Sequence, residues 1–483
     1  MNELQRVSAV ESTGDRALDL ILGGGIPAHS VNVIAGDPGS GKTILTLQIL
    51  FELARRGKRC LYFTTLSEPA LKLVHHMQQF SFFDAGLLDN AIRFVDISAA
   101  VSEGSDRAVE TIIRRAEDFA PDVVVIDSFR AIGEAATASR RPLVYDLGVQ
   151  LAAFQAITFL VGEYRPDEYS MYAEFAIADG IIRLGSYQQE LQSLRQLEVL
   201  KLRGAGYVRG CHFYDISARG LAVYPRVSAP EQVSIGAGLA IGGRRVSTGV
   251  AGLDDLLGGG LPAGSATLVQ GGTGIGKTIL CLQFLLAGAR QDERGIFFAL
   301  EETPEHLRAI AGALGFDLAE EERKGNITIC YSSPVELSTD RFLFDARRLV
   351  EEVGAKRAVF DSLTSMSLGI PSQRRFKELT YSLCQHLRRA GTTVLMTMES
   401  EQTFGVTKLT GYGISFLADV LIQMRYVEWE GTLERAISVI KARGIKHSTE
   451  FRSVTIDQGG IAVMPSRFER LRGVLTGLPA RDR

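Results

Sequence analysis

The chain of 483 residues is 46% hydrophobic and 23% charged, which supplies apolar material for more than one packed core and length for about two to four domains. Its 53 Lys and Arg against 56 Asp and Glu leave a net charge of -3, which excludes a uniformly basic surface built for nucleic acid. Glycine is in excess, at 50 residues, with no collagen-like period, so the positions of those glycines carry information.

In chain order, Met1 to Val10 mixes Asn2, Glu3, Gln5 and Arg6 with isolated apolar residues and lacks the charged and then apolar blocks of a secretory signal. Apolar runs such as 123–126 stop far short of the roughly 20 residues that a membrane helix requires. Cys60, Cys211, Cys281, Cys330 and Cys384 show no paired spacing. A soluble, cytoplasmic protein without a zinc site, a disulfide framework or a membrane anchor is expected.

Thr13-Gly14, Leu18-Asp19 and the run LGGGIPAHS from Leu22 return as Thr248-Gly249, Leu253-Asp254 and LGGGLPAGS from Leu257. The offset is 235 positions here and drifts by only a few residues later, since Asp127 matches Asp361, Asp179 matches Asp419 and Lys201-Leu202-Arg203-Gly204 matches Lys441-Ala442-Arg443-Gly444. Solenoid repeats run about 20–50 residues, so this period denotes duplicated domains. The stretch around Pro225, Pro230 and the Gly- and Ala-rich run that follows has neither helical nor strand period. A first domain over 1–226, a linker over 227–246 and a second domain over 247–483 are expected.

Within each copy β-branched runs alternate with amphipathic stretches: 31–35 reads as a strand, 44–55 as a helix, and 60–64 and 123–126 as further strands. That alternation predicts an α/β domain with a mainly parallel, twisted sheet flanked by helices. Between the first strand and helix stands Gly36-Asp37-Pro38-Gly39-Ser40-Gly41-Lys42-Thr43, and in the second copy Gly271-Gly272-Thr273-Gly274-Ile275-Gly276-Lys277-Thr278. The pattern G-x-x-x-x-G-K-T turns backbone N–H groups inward around phosphates at a helix N-terminus, with Lys42 and Lys277 on the β/γ-phosphates and Thr43 and Thr278 on Mg2+. ATP and Mg2+ are the ligands expected in both copies. Asp127 and Asp361 end apolar strands downstream and are expected beside the phosphate loops, within reach of the same Mg2+.

The copies differ in a second pair of carboxylates. Glu301 and Glu302 end a strand in the second copy, where one carboxylate can hold charge while its neighbour acts as base toward an attacking water. Leu66 and Ser67 stand in their places in the first copy, and Glu68 is one position late, which on a strand points it to the opposite face. The first site is therefore expected to bind nucleotide and hydrolyse it slowly.

At these residues the sequence resembles the KaiC-like branch of RecA-fold ATPases, over nearly the whole chain: the tandem copies, the lead-in TGxxxLDxxLGGGxP, the paired phosphate loops, the glutamate pair and the late KxRG strand. The resemblance implies two tandem RecA-like P-loop domains in an ATP-dependent homohexameric double ring, with a phosphate loop from one protomer and a basic strand from the next around each ATP. By position the trans residues are Lys201 and Arg203 in one ring and Lys441 and Arg443 in the other. It also implies serine/threonine autokinase activity in the second domain. Ser415 falls on the phosphorylated serine, Phe416 falls where a second hydroxyl belongs, and Thr410 matches a nearby threonine, so an ordered two-site cycle is not expected. Glu301 is then the base for Ser415. The chain ends at Arg483, about where relatives carry a regulatory tail, so regulation through such a tail is not expected.

A signalling or circadian-type ATPase with an unidentified protein partner is the leading reading. An ATP-gated assembly scaffold with little catalysis and a RecA-like DNA-handling motor are the alternatives, the latter disfavoured by the acidic balance.

Overall fold

The computed structural model describes residues 9–65, 70–135, 140–189, 192–226, 243–333, 339–370, 372–400, 414, 416–429 and 432–465. The chain divides into two compact units between Arg226 and Val227, each built, among the described residues, on a nine-stranded sheet.

In the first unit the strands Gly180–Gln189, Val31–Gly36, Ile157–Gly162, Val123–Asp127, Cys60–Thr64 and Ile92–Asp96 lie parallel in that order. Gln192–Leu202, Cys211–Ser217 and Gly220–Tyr224 continue the sheet antiparallel from its Gly180–Gln189 side. The second unit repeats this plan. Val420–Trp429, Ala266–Gly271, Thr393–Glu399, Arg357–Asp361, Gly295–Ala299 and Ile327–Tyr331 are parallel, and Thr432–Ala442, Arg452–Asp457 and Gly460–Val463 are antiparallel. The expected α/β class, with a mainly parallel sheet in each copy, is what the chain forms.

The central strands are buried without alternation because helices cover both faces. Val31–Gly36 and Ala266–Gly271 are buried at every position. Ile34 packs into the core beneath the Lys42–Arg55 helix with Leu45, Ile49 and Phe51, while Val33 and Ala35 enter the opposite core. There the Ser105–Phe119 helix buries Ala108, Ile112, Ala116 and Phe119 at three- and four-residue spacing. The parallel strands thus deliver Gly36, Thr64, Asp127 and Gly162 to one edge of the sheet, the carboxyl-end crevice where such folds bind ligands.

The repeated lead-in closes on itself. Asp19 Oδ1 accepts from the Thr13 amide and hydroxyl, both at 2.7 Å, and Asp254 Oδ1 accepts from those of Thr248 at 2.8 Å and 2.6 Å. Gly14 and Gly249 take φ of 85° and 79° in this turn, which a side chain disfavours. Arg245–Val246, at the end of the segment expected to be linker, pairs with Leu261–Pro262 just as Val10–Glu11 pairs with Ile26–Pro27. Residues 227–242 of that segment lie outside the described residues. No described helix is long and apolar enough to cross a membrane.

Thr248 is fully buried, so removing Asp254 leaves the Thr248 amide without a partner, at about 1–3 kcal/mol, while its hydroxyl keeps the Val250 carbonyl at 3.2 Å. Asp254→Ala should lower the unfolding free energy of the second unit by about 1–3 kcal/mol in chemical denaturation. Substitution of the exposed Asp255 by Ala should stay within about 0.5 kcal/mol of the parent.

Candidate active site

Each phosphate-loop sequence lies between a central strand and its helix. Gly36 passes so close to the neighbouring strand that a Cβ would lie 1.9 Å from the Leu184 carbonyl oxygen. Gly41 and Gly276 precede the helices in the left-handed region, with φ of 91° and 113°. Asp37, Pro38, Gly39 and Ser40 complete the first turn, and Tyr214 braces it by donating to the Ser40 carbonyl at 2.5 Å. Gly272, Thr273, Gly274 and Ile275 complete the second, with Ile275 wholly buried.

Both lysines fold back over their loops. Lys42 Nζ donates to the carbonyls of Gly36 and Asp37 at 3.1 Å and 2.9 Å, and Lys277 Nζ to those of Gly271 and Gly272 at 3.0 Å each. Burial pushes the Lys42 ammonium below its usual pKa, against the raising charges of Glu163, Asp127 and Asp37. Thr43 Oγ1 donates to Asp127 Oδ2 at 2.7 Å and Thr278 Oγ1 to Asp361 Oδ2 at 2.8 Å, so hydroxyl and carboxylate meet in both copies. Such hard oxygen donors suit Mg2+. Tyr62 donates to Asp127 at 2.7 Å, and Thr397 donates to Asp361. Burial raises the Asp361 pKa, with the Thr397 and Thr278 hydrogen bonds opposing and the charge of Glu301 adding to the rise. The Asp127–Ser128 and Asp361–Ser362 peptide bonds are both cis. In the first unit a cavity of about 1060 Å³ opens over the loop, lined among others by Lys42, Thr43, Asp127, Arg130, Glu134 and Glu163.

Glu301 and Glu302 part company. Glu301 Oε1 accepts from the hydroxyls of Ser362 and Ser365, the latter at 2.6 Å, and so is held beside the strand end that carries Asp361. Glu302 turns to His306 one helical turn on. In the first unit Thr65 takes the place of Leu300: the amide of each donates to the carbonyl of its aspartate, at 3.1 Å to Asp127 and 2.8 Å to Asp361. Leu66, Ser67 and Glu68 lie outside the described residues.

Two carboxylates escaped the sequence reading. Glu163 follows the strand next to the first phosphate loop, and its charge acts on Lys42. Glu399, its counterpart, accepts from Thr273 Oγ1 at 3.0 Å. The signal was present, since each glutamate ends an aligned apolar run, but a lone carboxylate at a strand end is too common to single out.

The basic strands are remote from their own loops. Lys201 pairs with Ile181, level with Val33, and Lys441 with Leu421, level with Leu268. The loops leave those strands at Gly36 and Gly271, about 10 Å further along at 3.3 Å per residue. Lys201 Nζ donates to the Ala176 carbonyl at 3.4 Å and Lys441 Nζ to that of Ala418 at 2.8 Å. Arg203 pairs with Asp179 at 3.5 Å with its side chain 61% exposed, and Arg443 is exposed. Ser415 and Thr410 lie outside the described residues.

The family described as "ATPase: KaiC" matches residues 11–228 and again 246–467. The circadian clock oscillator protein KaiC of Picosynechococcus sp. is 29% identical over 480 residues, covering 96% of this chain and 91% of that protein. KaiC 1 of Synechocystis sp. is 28% identical over 479 residues, and KaiC of Synechococcus elongatus 28% over 478, each alignment covering 96% of this chain and 90% of the relative. With two matched repeats, each containing a phosphate loop and its strand-end aspartate, the chain belongs to the KaiC ATPase family.

Proposed function

We propose that the chain is a Mg2+-dependent ATPase with two nucleotide sites per protomer, whose turnover is concentrated in the second unit. The observation that carries this reading is the Ser362 and Ser365 clamp on Glu301, beside the Thr278–Asp361 pair. Hydrolysis needs a group that orients or deprotonates water near the terminal phosphate, and a carboxylate held by two hydroxyls is pre-oriented for it. Lys277 would exchange its two carbonyl partners for phosphate oxygens, and the loop amides would hold the β-phosphate. Thr278 and Asp361, like Thr43 and Asp127, are the residues that would hold Mg2+, which when bound neutralises charge developing on the phosphates. Glu302, engaged with His306, has the lesser role. Leu66 and Ser67 supply no such carboxylate in the first unit, whose site binds ATP and hydrolyses it slowly.

The same Glu301 serves as base for autophosphorylation of Ser415, a role that rests on the likeness to KaiC. ATP joins protomers into a homohexamer, in which Lys201, Arg203, Lys441 and Arg443 act on the nucleotide of the next protomer. The distance of these residues from their own loops favours action in trans. The relatives are clock oscillator proteins by name, which supports a circadian-type or signalling role; a cytoplasmic location and a protein partner belong to the same proposal.

Glu301→Gln should reduce steady-state phosphate release by at least about 100-fold, the lower end of what a general base contributes, and Glu302→Gln by less than about tenfold. Intact-mass analysis after incubation with Mg2+-ATP should find one phosphate on the parent and none on Glu301→Gln or Ser415→Ala. Equal losses in the two glutamine variants would remove Glu301 from its assigned role. In a mixing experiment, Glu301→Gln and Arg443→Ala proteins, each inactive alone, should regain ATPase activity when co-assembled. A mixture as inactive as its components would place the arginine's action within one protomer.

A further inference from the structure

The two sites differ three residues after the strand-end aspartate. Thr364, three residues after Asp361, ties the second site together by accepting from the Glu399 amide at 2.9 Å. Its counterpart, three residues after Asp127, is Arg130, which reaches the matching strand end by a different bond, donating to the Glu163 carbonyl. Where the second site has a neutral hydroxyl, the first therefore carries a guanidinium with a full positive charge.

That charge faces the phosphate-loop cavity, which Arg130 lines together with Lys42 and Thr43. It is balanced by Glu134 at 2.8 Å and Glu168 at 3.3 Å, and Tyr164 and Tyr172 lie under it at 5.9 Å and 5.4 Å. The Arg130 side chain is 28% exposed, that of Glu134 54% and that of Glu168 23%, so the Glu134 pair is the wetter of the two. Ion pairs this wet hold their partners weakly and are readily exchanged. A terminal phosphate carries more charge than either carboxylate and matches the planar guanidinium fork, so it is the stronger competitor for Arg130.

We propose that Arg130 is a cis-acting cation for the terminal phosphate of the nucleotide in the first unit, making that pocket selective for a nucleoside triphosphate over the diphosphate. This rests on the nucleotide reading of the phosphate loop given above. On binding, Arg130 leaves Glu134 and Glu168 for the phosphate. On loss of the terminal phosphate it returns to them, so the pocket reports which nucleotide it holds. A site with this cation and without the glutamate pair retains ATP rather than consuming it.

The test is equilibrium binding of Mg2+-ATP and Mg2+-ADP by calorimetry, using the full chain with Lys277→Ala to silence the second site. Adding Arg130→Met should weaken ATP at least about tenfold, as loss of one charge-assisted hydrogen bond does, while ADP affinity stays within about twofold. Arg130→Lys, which keeps the charge and much of the volume, should show the same fall in ATP-over-ADP preference to a smaller extent, and it serves as the reading if the methionine variant does not fold. An equal loss for both nucleotides would make Arg130 a mere brace for the cavity wall and overturn the proposal, as would unchanged ATP affinity. Failure of the Lys277→Ala parent to bind either nucleotide would instead overturn the nucleotide reading of the first pocket.

Discussion

The turn that carries the chain from Val31–Gly36 into the Lys42–Arg55 helix has no room for side chains at its critical points. A Cβ on Gly36 would collide with the Leu184 carbonyl, and one on Gly41 would lie 2.6 Å from Ile216 Cδ1. Leu184 belongs to the neighbouring parallel strand, so a side chain at Gly36 would have to move the sheet backbone, while at Gly41 the left-handed φ of 91° is the constraint. That rigidity fixes everything downstream. The lysine at the helix start is forced back over the loop, the next threonine faces the strand-end aspartate, and both geometries recur in the second unit within 0.1 Å for the threonine–aspartate contact.

On this shared base the two units diverge through what surrounds the loop. The second adds a carboxylate clamped by two serines, and its first-unit position is held by apolar and hydroxyl residues. The first adds an arginine with two glutamates around it, and its second-unit position is a threonine. Neither change touches the turn itself. The two copies therefore share the rigid binding element and differ at the strand ends that surround it, which on the proposed reading serve bond breaking in one and retention of nucleotide in the other.

The sequence made the duplication, the α/β alternation and the loop, threonine and aspartate legible because those features depend on local order or on a fixed offset between copies. What stayed hidden depends on which strands are neighbours. Ser365 reaches Glu301 from 64 positions away only because Gly295–Ala299 and Arg357–Asp361 pair, and apolar alternation does not specify strand order. The TG and LD pairs were evident as repeats, yet their purpose, a carboxylate closing on a buried threonine, needed the fold. Arg357 illustrates the same limit. It is wholly buried in a strand, with Nε on Glu293 at 2.7 Å, at the place where the first copy has Val123. Its burial lowers its pKa to about 10, and no pattern in the sequence marks it as interior.

The central claim is that two pockets with the same binding element differ in bond breaking. Its most direct measurement is a chemical-quench time course on the full chain, loaded with Mg2+-ATP and freed of unbound nucleotide by rapid gel filtration. Two nucleotides should remain per chain, one converted to ADP within the enzyme's turnover time and the other still ATP on a scale about 100-fold longer. Simultaneous conversion of both, or a single nucleotide retained per chain, would contradict it.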